Sequence, residues 1–496
     1  MEFTKKIKEL KKSGFFESLE IERGIEKESL RVDQNGNISN KKHPKALGSS
    51  FTNPSITTDF AEALVEIVTP VFTDIDDLHD HLLALHVFIN KNIDEEILWP
   101  FSIPPRIKDE SKINIATYAN NKAGHLKYVY RKGLAARYGK TMQCVSGIHF
   151  NFSLSDSSMR HLINSNIQDD IDSAYLRLIR NFKRVFWFVL TEFGESAVVD
   201  KSFVRNRDND LNELNETDLY KEDATSLRMS EIGYKSPAQE NLNIHYNDLN
   251  SFLKEIKEAI IYPYPEFSKL NMKDEDGLYS QISDGILQIE NELYDCIRPK
   301  RAAHGDVRPY DILKREGIKY VEVRGIDLSP KELTGISKNQ IRILDLILLY
   351  CLIDESPEID DQEFDVINCN DQTAIKNGRN KNTKIIFKKD EISIGDARNK
   401  IIKDLMVVAE MMNGEDHKLA LKSLNLRKNI FNPAVSFNDT GIELAKKNHS
   451  EMLKMKDIDM KSFIKEAEDS LIKFDKISDD TIDDVNNFLA GYNKNL

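Results

Sequence analysis

Apolar residues recur along this chain with two periods, which sort it into helices and strands. In TDIDDLHDHLLALHVFIN (73–90), Ile75, Leu78, Leu82, Leu85 and Ile89 share one face at a spacing of three and four, with Thr73 as the expected N-cap. Residues 171–193 repeat that pattern through Tyr175, Leu178, Phe182, Val185, Phe186 and Val189. LILLYCLI (346–353) is apolar on all sides and follows Arg342 and Asp345 at helical spacing, so it reads as a core helix too short to cross a bilayer. Other stretches alternate with a period of two. GIHFNFS (147–153) puts Ile148, Phe150 and Phe152 on one face and His149, Asn151 and Ser153 on the other. KYVEVRGI (319–326) opposes Val321 and Val323 to Glu322 and Arg324, and EALVEIV (62–68) is apolar except for Glu62 and Glu66, which share a face. IEKESLRV (25–32) sends Glu26 and Glu28 to a common face in the same way.

Beyond about residue 355 the chain turns polar and is expected to be mostly helical, with DARNKIIKDLMVVAEMM (396–412) as its clearest amphipathic segment. Apolar periodicity persists to Phe488 and Leu489, so the abundance of Asn and Lys there does not signal disorder. We find no internal repeat. The expected division is 1–355 for a core and 356–496 for a mostly helical region packed on it.

Apolar residues at 40% and charged residues at 30% place the 496-residue chain among soluble globular proteins. A net charge of -13 excludes a general nucleic-acid surface, which needs a basic face to release counterions. MEFTKKIKELKKSG has a basic segment but no apolar stretch after it, so secretion is not expected and a cytoplasmic location is; with no apolar run near eighteen residues, no membrane association is expected either. Cys144, Cys296, Cys351 and Cys369 lie far apart with no CxxC pair, which argues against a zinc ribbon or a disulfide framework. The densest basic clusters, YVYRKGLAARYGK (128–140) and CIRPKR (296–301), read by themselves as solvated surface.

The chemistry lies in the strand acids. Glu26, Glu28, Glu62, Glu66, His149 and Glu322 each stand opposite an apolar face, and unpaired on a half-buried sheet their carboxylates would repel one another. Divalent cations resolve that conflict, and oxygen ligands with an occasional imidazole suit magnesium or manganese at a site that handles nucleotide phosphates. His79, His81 and His86 lack ligand spacing with an acid partner and read as surface or core residues. With no GxxxxGK[ST] loop and no GxGxxG after a strand, a nucleotide would be held by metals and arginines.

In these same residues the chain resembles the proteobacterial-type glutamate-cysteine ligases. The matching segments, in family order, are GIEKESLRV (24–32), ALGSSFTNPSITTDFAEALVEIVTP (46–70), WPFSIPP (99–105), YRKGLAARYGKTMQCVSGIHFNFS (130–153), TSLRMSEIGY (225–234), IENELYDCIRPKR (289–301) and IKYVEVRGIDLSP (318–330). A weaker match continues through LLYCLIDESP (348–357) and the NGR of 377–379. The resemblance implies an α+β fold with a glutamine-synthetase-like curved antiparallel sheet, flanking helices and a helical C-terminal region. It implies ATP-dependent joining of the glutamate γ-carboxylate to the cysteine amine through a γ-glutamyl phosphate, the first step of glutathione biosynthesis. A related carboxylate-amine ligase with another amine acceptor is the alternative. No obligatory protein partner is implied. No ATP-grasp extension follows, so a fused enzyme completing glutathione is not expected.

Carried over by position, the resemblance names Glu26, Glu28, Asp59, Glu66, His149 and Glu322 as metal ligands, which leaves out Glu62 and adds Asp59. It assigns Arg228, Tyr234 and Tyr294 to the cysteine backbone, and Phe60, Tyr130 and Leu134 to its thiol side chain. Arg324 would stabilise the transferring phosphoryl group, and Arg131 and Lys300 become candidates for the ATP phosphates. Two places depart from the family: FGESAVVDKSF (193–203) carries Glu195 and Asp200 where members keep a more apolar, proline-containing segment, and Gly325 is less usual.

Overall fold

The computed structural model describes residues 2–205, 207–240, 242–302, 307–494 and 496. Its strands are β1 (Ile21–Val32), β2 (Ile56–Thr58), β3 (Leu64–Val68), β4 (Ile97–Leu98), β5 (Ile148–Leu154), β6 (Val198–Asp200), β7 (Asn212–Glu213), β8 (Asp218–Tyr220), β9 (Ile297–Lys300), β10 (Tyr320–Ile326), β11 (Lys384–Phe387) and β12 (Asp390–Ser393). The main sheet runs β2-β3-β1-β5-β10-β9, antiparallel at every pairing, with β4 added at the end of β1. The two ends of this path do not pair, so the sheet is open. A small sheet, β6-β8-β7, takes up part of 193–203: Asp200 ends β6, and Glu195 lies before that strand.

The helices of the first part are α1 (Glu2–Lys12), α2 (Ile75–Asn90), α3 (Lys122–Tyr138), α4 (Asp156–Ile163), α5 (Gln168–Phe193), α6 (Leu249–Ile261), α7 (Pro309–Glu316) and α8 (Lys338–Ile353). Those of the second are α9 (Asp361–Asn377), α10 (Ile394–Met411), α11 (Glu415–Ser423), α12 (Phe437–Lys454), α13 (Lys461–Asp475) and α14 (Ile482–Gly491). α5 packs against β9 and β10 and on α8, and α2 lies against β1. The apolar strand residues Ile25, Val65, Ile67, Phe150, Phe152, Val321 and Val323 join Phe182, Phe186, Leu346 and Leu349 in one core. One face of the sheet is thereby fully covered, which leaves the acids on the other. Two buried polar pairs interrupt the core behind β1. Arg23 donates to Asp345 of α8 at 2.8 Å, and the Lys27 ammonium, lowered by burial to about 7, contacts His86 Nε2 of α2 at 2.8 Å.

Three local details differ from the sequence expectation. The cap of α2 is Asp74, whose carboxylate accepts from the amides of Asp76 and Asp77; the Thr73 carbonyl is taken by Arg23 instead. Glu62 precedes β3 and is consumed structurally, accepting from the amides of His43 and Thr117 and from the Thr117 hydroxyl. Within 356–496, β11 and β12 form a hairpin whose turn places Lys388 and Lys389 at φ 51° and 74°. Those left-handed positions are usually filled by Asn or Gly, so the lysines gave no turn signal. Elsewhere in this region α10 and α11 pack on α8, α12 on α2, and α14 on α3.

Candidate active site

Strand register assembles the acid face. Glu28 of β1 stands opposite Glu66 of β3, and Glu26 stands opposite His149 of β5. On the other side of β5, Glu322 of β10 pairs with Asn151, and across the next ladder it faces Arg298 of β9. Residues that alternate along four separate strands thus meet on one surface. Glu26, Glu66 and His149 present ligand atoms that all lie within 4.8 Å of one another. His149 Nδ1 is 3.2 Å from Glu26 Oε2 and its Nε2 is 3.7 Å from Glu28 Oε1, so the imidazole bridges the two β1 acids. Asn151 donates to Glu26 at 3.0 Å, and the Gly147 amide donates to Glu28 at 2.8 Å. Asp59 follows β2, and its charge acts on both Glu28 and Glu66.

The charges are unevenly balanced. Burial, then Asp59, Glu26 and Glu28, hold the Glu66 carboxyl well above the usual carboxylate range. Burial likewise raises Glu28, with Asp59 adding to it against the pull of His149. At the other end burial also opposes ionisation of Glu322, but Lys300, Arg324 and Arg298 outweigh it and keep its carboxyl well below that range. The β1-β3 side therefore has too little positive charge to offset its acids, although Arg131 acts on Glu66, and its donors are carboxylates with one imidazole. That chemistry fits a hard divalent cation.

Around Glu322 sits a cationic frame. Arg298 donates to Glu322 at 3.0 Å, Lys300 approaches it to 3.3 Å, and Arg324 donates to it at 3.0 Å. Arg324 also donates to the Tyr234 hydroxyl at 2.6 Å. Tyr234 meets the Tyr294 ring edge-on at 4.6 Å, and Gln143 donates to the Tyr294 hydroxyl at 3.2 Å. Arg228 is buried beneath them. Its Nε donates to Asp327 at 3.1 Å and its Nη2 to the carbonyls of Arg324 and Ile326 at 3.0 and 2.8 Å, which leaves Nη1 with only the Met229 sulfur, at 3.2 Å, among the described residues. Phe60, Tyr130 and Leu134 share one apolar cluster with Cys144 and Tyr138. Arg131 turns its guanidinium onto the carbonyls of Thr58, Asp59 and Lys127, while its charge reaches Glu66.

A cavity of about 170 Å³ opens at the outer edge of β9, lined by Leu253, Arg298, Lys300, Tyr310 and Tyr320 among others. A larger cavity of about 590 Å³, bounded by Asp33, Lys41, Arg106 and Asp109, shares no residue with the acid face. Sequence reasoning passed over Arg298, Asn151 and Asp327. Arg298 had a usable signal, since in CIRPKR it stands two residues from Lys300 and so shares a strand face with it. The Arg228–Asp327 and Asn151–Glu26 contacts join distant segments and had none.

The glutamate-cysteine ligase family profile matches residues 6–374. A glutamate–cysteine ligase of Pseudomonas aeruginosa PAO1 is 37% identical over 498 residues, covering 95% of this chain and 94% of the relative. One from Hahella chejuensis is 43% identical over 366 residues, covering 73% and 70%. Among solved structures, a glutamate–cysteine ligase of Francisella tularensis in complex with AMP superposes with a TM-score of 0.87 at 29% identity, covering 96% of this chain and 99% of that one. A bifunctional glutathione synthetase of Pasteurella multocida shares the fold, with a TM-score of 0.65 at 21% identity over 90% of this chain and 53% of that one. With the family profile spanning most of the sequence and full-length relatives above one-third identity, the chain belongs to the glutamate-cysteine ligase family.

Proposed function

We propose that this protein joins the γ-carboxylate of L-glutamate to the amine of L-cysteine in an ATP-dependent reaction, the first step of glutathione biosynthesis. The observation that carries this reading is the acid face itself: half-buried carboxylates short of positive charge on the β1-β3 side, next to an arginine frame at Glu322, within a chain of this family. A carboxylate is a poor electrophile. A γ-carboxylate oxygen attacks the terminal phosphorus of ATP and ADP leaves. The cysteine nitrogen then attacks the acyl carbon, phosphate departs with the acyl oxygen, and the amine gives up a proton. Such phosphoryl transfer depends mainly on positioning and charge neutralisation.

Magnesium, or manganese, held by Glu26, Glu28, Asp59, Glu66, His149 and Glu322 would supply neutralisation of the phosphate oxygens. Asn151 and the Gly147 amide fix the orientation of Glu26 and Glu28 for that task. Arg324, preset by Glu322 and Tyr234, meets the phosphoryl oxygens as charge develops on them. Lys300 faces the phosphates from the cavity at β9, whose apolar walls suit the far end of a nucleotide. Tyr234, Tyr294 and Nη1 of Arg228, which has only the weak Met229 sulfur as acceptor among the described residues, hold the cysteine backbone, with Phe60, Tyr130 and Leu134 around its thiol. Arg131 steadies the Asp59 segment through its carbonyl contacts and directs charge toward Glu66. Four unpaired cysteines, three of them buried, and dependence on ATP agree with a cytoplasmic setting.

The test is phosphate release from ATP measured with glutamate, with cysteine and with both, with mass detection of the dipeptide. Turnover that needs both amino acids and yields the dipeptide is expected. Equal or faster turnover when another amino acid or a polyamine replaces cysteine would assign a different acceptor.

A further inference from the structure

The cations of the site are almost all engaged. Arg298, Lys300 and Arg324 point at Glu322, Arg228 at Asp327, and Arg131 at backbone carbonyls. Lys127 differs. It lies on α3 one turn before Tyr130 and Arg131 and two turns before Leu134, so the four share the helix face turned to the site. Its ammonium rests over two aromatic rings, 5.2 Å from the Tyr118 centroid and 5.6 Å from that of Phe51. Among the described residues it has no hydrogen-bond acceptor and no carboxylate within ion-pair distance.

The rings place that cation beside the acid face. The Tyr118 hydroxyl donates to the Thr58 carbonyl at 2.9 Å and to that of Asp59 at 3.3 Å, so the platform under Lys127 is fastened to the Asp59 segment. Glu66 and Asp59 are close enough for their charges to act on Lys127. The residue is exposed, while desolvation by the surrounding protein and then the Arg131 charge lower its pKa to about 8. A cation that rests on ring faces commits none of its three donors to an oxygen acceptor, so they can turn to an arriving anion.

We infer that Lys127 receives the α-carboxylate of the glutamate substrate. This rests on the ligase reading above, under which four anionic groups enter the site: the ATP phosphates, the cysteine carboxylate and the two carboxylates of glutamate, of which the γ-carboxylate goes to the metal ligands. The phosphates lie toward Lys300 and the β9 cavity, at the far end of the sheet from β2 and β3. The cysteine carboxylate lies under Tyr234, Tyr294 and Arg228, where β10 ends. The glutamate α-carboxylate is the remaining anion, and Lys127 is the site cation left without an acceptor among the described residues, on the β2-β3 side. With its γ-carboxylate among the metal ligands, glutamate would extend from Glu66 and Asp59 toward α3.

The test uses the full-length enzyme and steady-state kinetics in which each substrate is varied in turn. Lys127→Met is expected to raise the glutamate KM by about ten- to a hundredfold, the scale of one charge-assisted hydrogen bond. The KM values for cysteine and ATP should stay within about twofold, and Lys127→Arg should recover part of the loss. A glutamate KM within twofold of wild type overturns the inference. So does an equal rise for cysteine or ATP, which would assign the cation to that substrate, or loss of the fold in both variants, which would make Lys127 structural. Failure of the wild-type enzyme to turn over ATP with both amino acids is a separate result, and it overturns the ligase reading itself.

Discussion

Glu28 and Glu66 face each other across the β1-β3 ladder, two half-buried carboxylates that a folded chain would normally keep apart. Glu66 is held well above the ordinary carboxylate range, first by burial and then by Asp59, Glu26 and Glu28. Such opposition costs stability and makes sense where a cation is meant to sit. Glu66→Gln is therefore expected to stabilise the chelated protein by up to about 1 kcal/mol while lowering turnover by two orders of magnitude or more. Thermal melting in chelator and phosphate release at ordinary magnesium check the two halves. Near-wild-type turnover would remove Glu66 from the site.

The same geometry fixes the sign of a pH effect. A carboxyl whose folded pKa lies above its unfolded value binds more protons in the folded state, so its contribution to stability falls as pH rises through that window. Glu66 and Glu28 are both of this kind. In chelator, melting temperature should decline as pH climbs above the ordinary glutamate value. Added magnesium should restore it, and by more at pH 8 than at pH 6, because the ligands must be ionised to bind. A magnesium shift that is larger at pH 6 would contradict the assignment of these acids as ligands.

Arg324 offers a sharper division between structure and catalysis. Without it, Glu322 would still have Arg298 and Lys300 beside it, so its charge stays compensated. Arg324→Ala should therefore change melting temperature little but cut the rate by about a hundredfold or more, the scale of losing one preorganised charge-stabilising group. A phosphorylated sulfoximine mimicking the tetrahedral adduct should lose more affinity than glutamate does. Equal losses would make Arg324 a binding residue.

Arg228 should behave differently. Three of its contacts hold the end of β10, through Asp327 and the carbonyls of Arg324 and Ile326. A lysine cannot make that fork. Arg228→Lys is expected to destabilise by about 2 kcal/mol and to raise the cysteine KM more than those of glutamate and ATP. A variant with wild-type melting and unchanged cysteine KM would contradict both roles.

Gly325 answers to packing alone. A Cβ there would lie 2.2 Å from Phe186 Cζ and 2.5 Å from its Cε2, inside any permissible contact. Gly325→Ala should cost about 1–3 kcal/mol by overpacking, and Phe186→Leu in the same chain should return part of it. Additive losses in the double variant would place the strain elsewhere.

Much of this protein could be read from its sequence because the relevant forces are local. The period of two in GIHFNFS and KYVEVRGI determines which side chains share a face, and burial of Val321 and Val323 follows from it. The period near 3.6 in 171–193 and in LILLYCLI likewise produces α5 and α8 as core helices. Glu26 and Glu28, Glu66, His149, Glu322 and Arg324 were legible as facing acids and cations on separate strands. What the pattern could not supply was register. Only the folded sheet sets Glu28 against Glu66 and Glu26 against His149, because pairing across strands depends on long-range ladders that no local period encodes. Glu62, two residues from the end of β3's alternation, kept the same local signature as Glu66, yet the fold spends it on the amides of His43 and Thr117. Arg298 and Asp327 gained their meaning only from partners many residues away, Glu322 and Arg228. Lys127 stands just before the run 128–140 that reads as solvated surface, and only the rings of Phe51 and Tyr118, brought beneath it by the fold, set its ammonium beside the acids with its donors free. Local periodicity chose the faces, and long-range pairing and packing decided which charges meet.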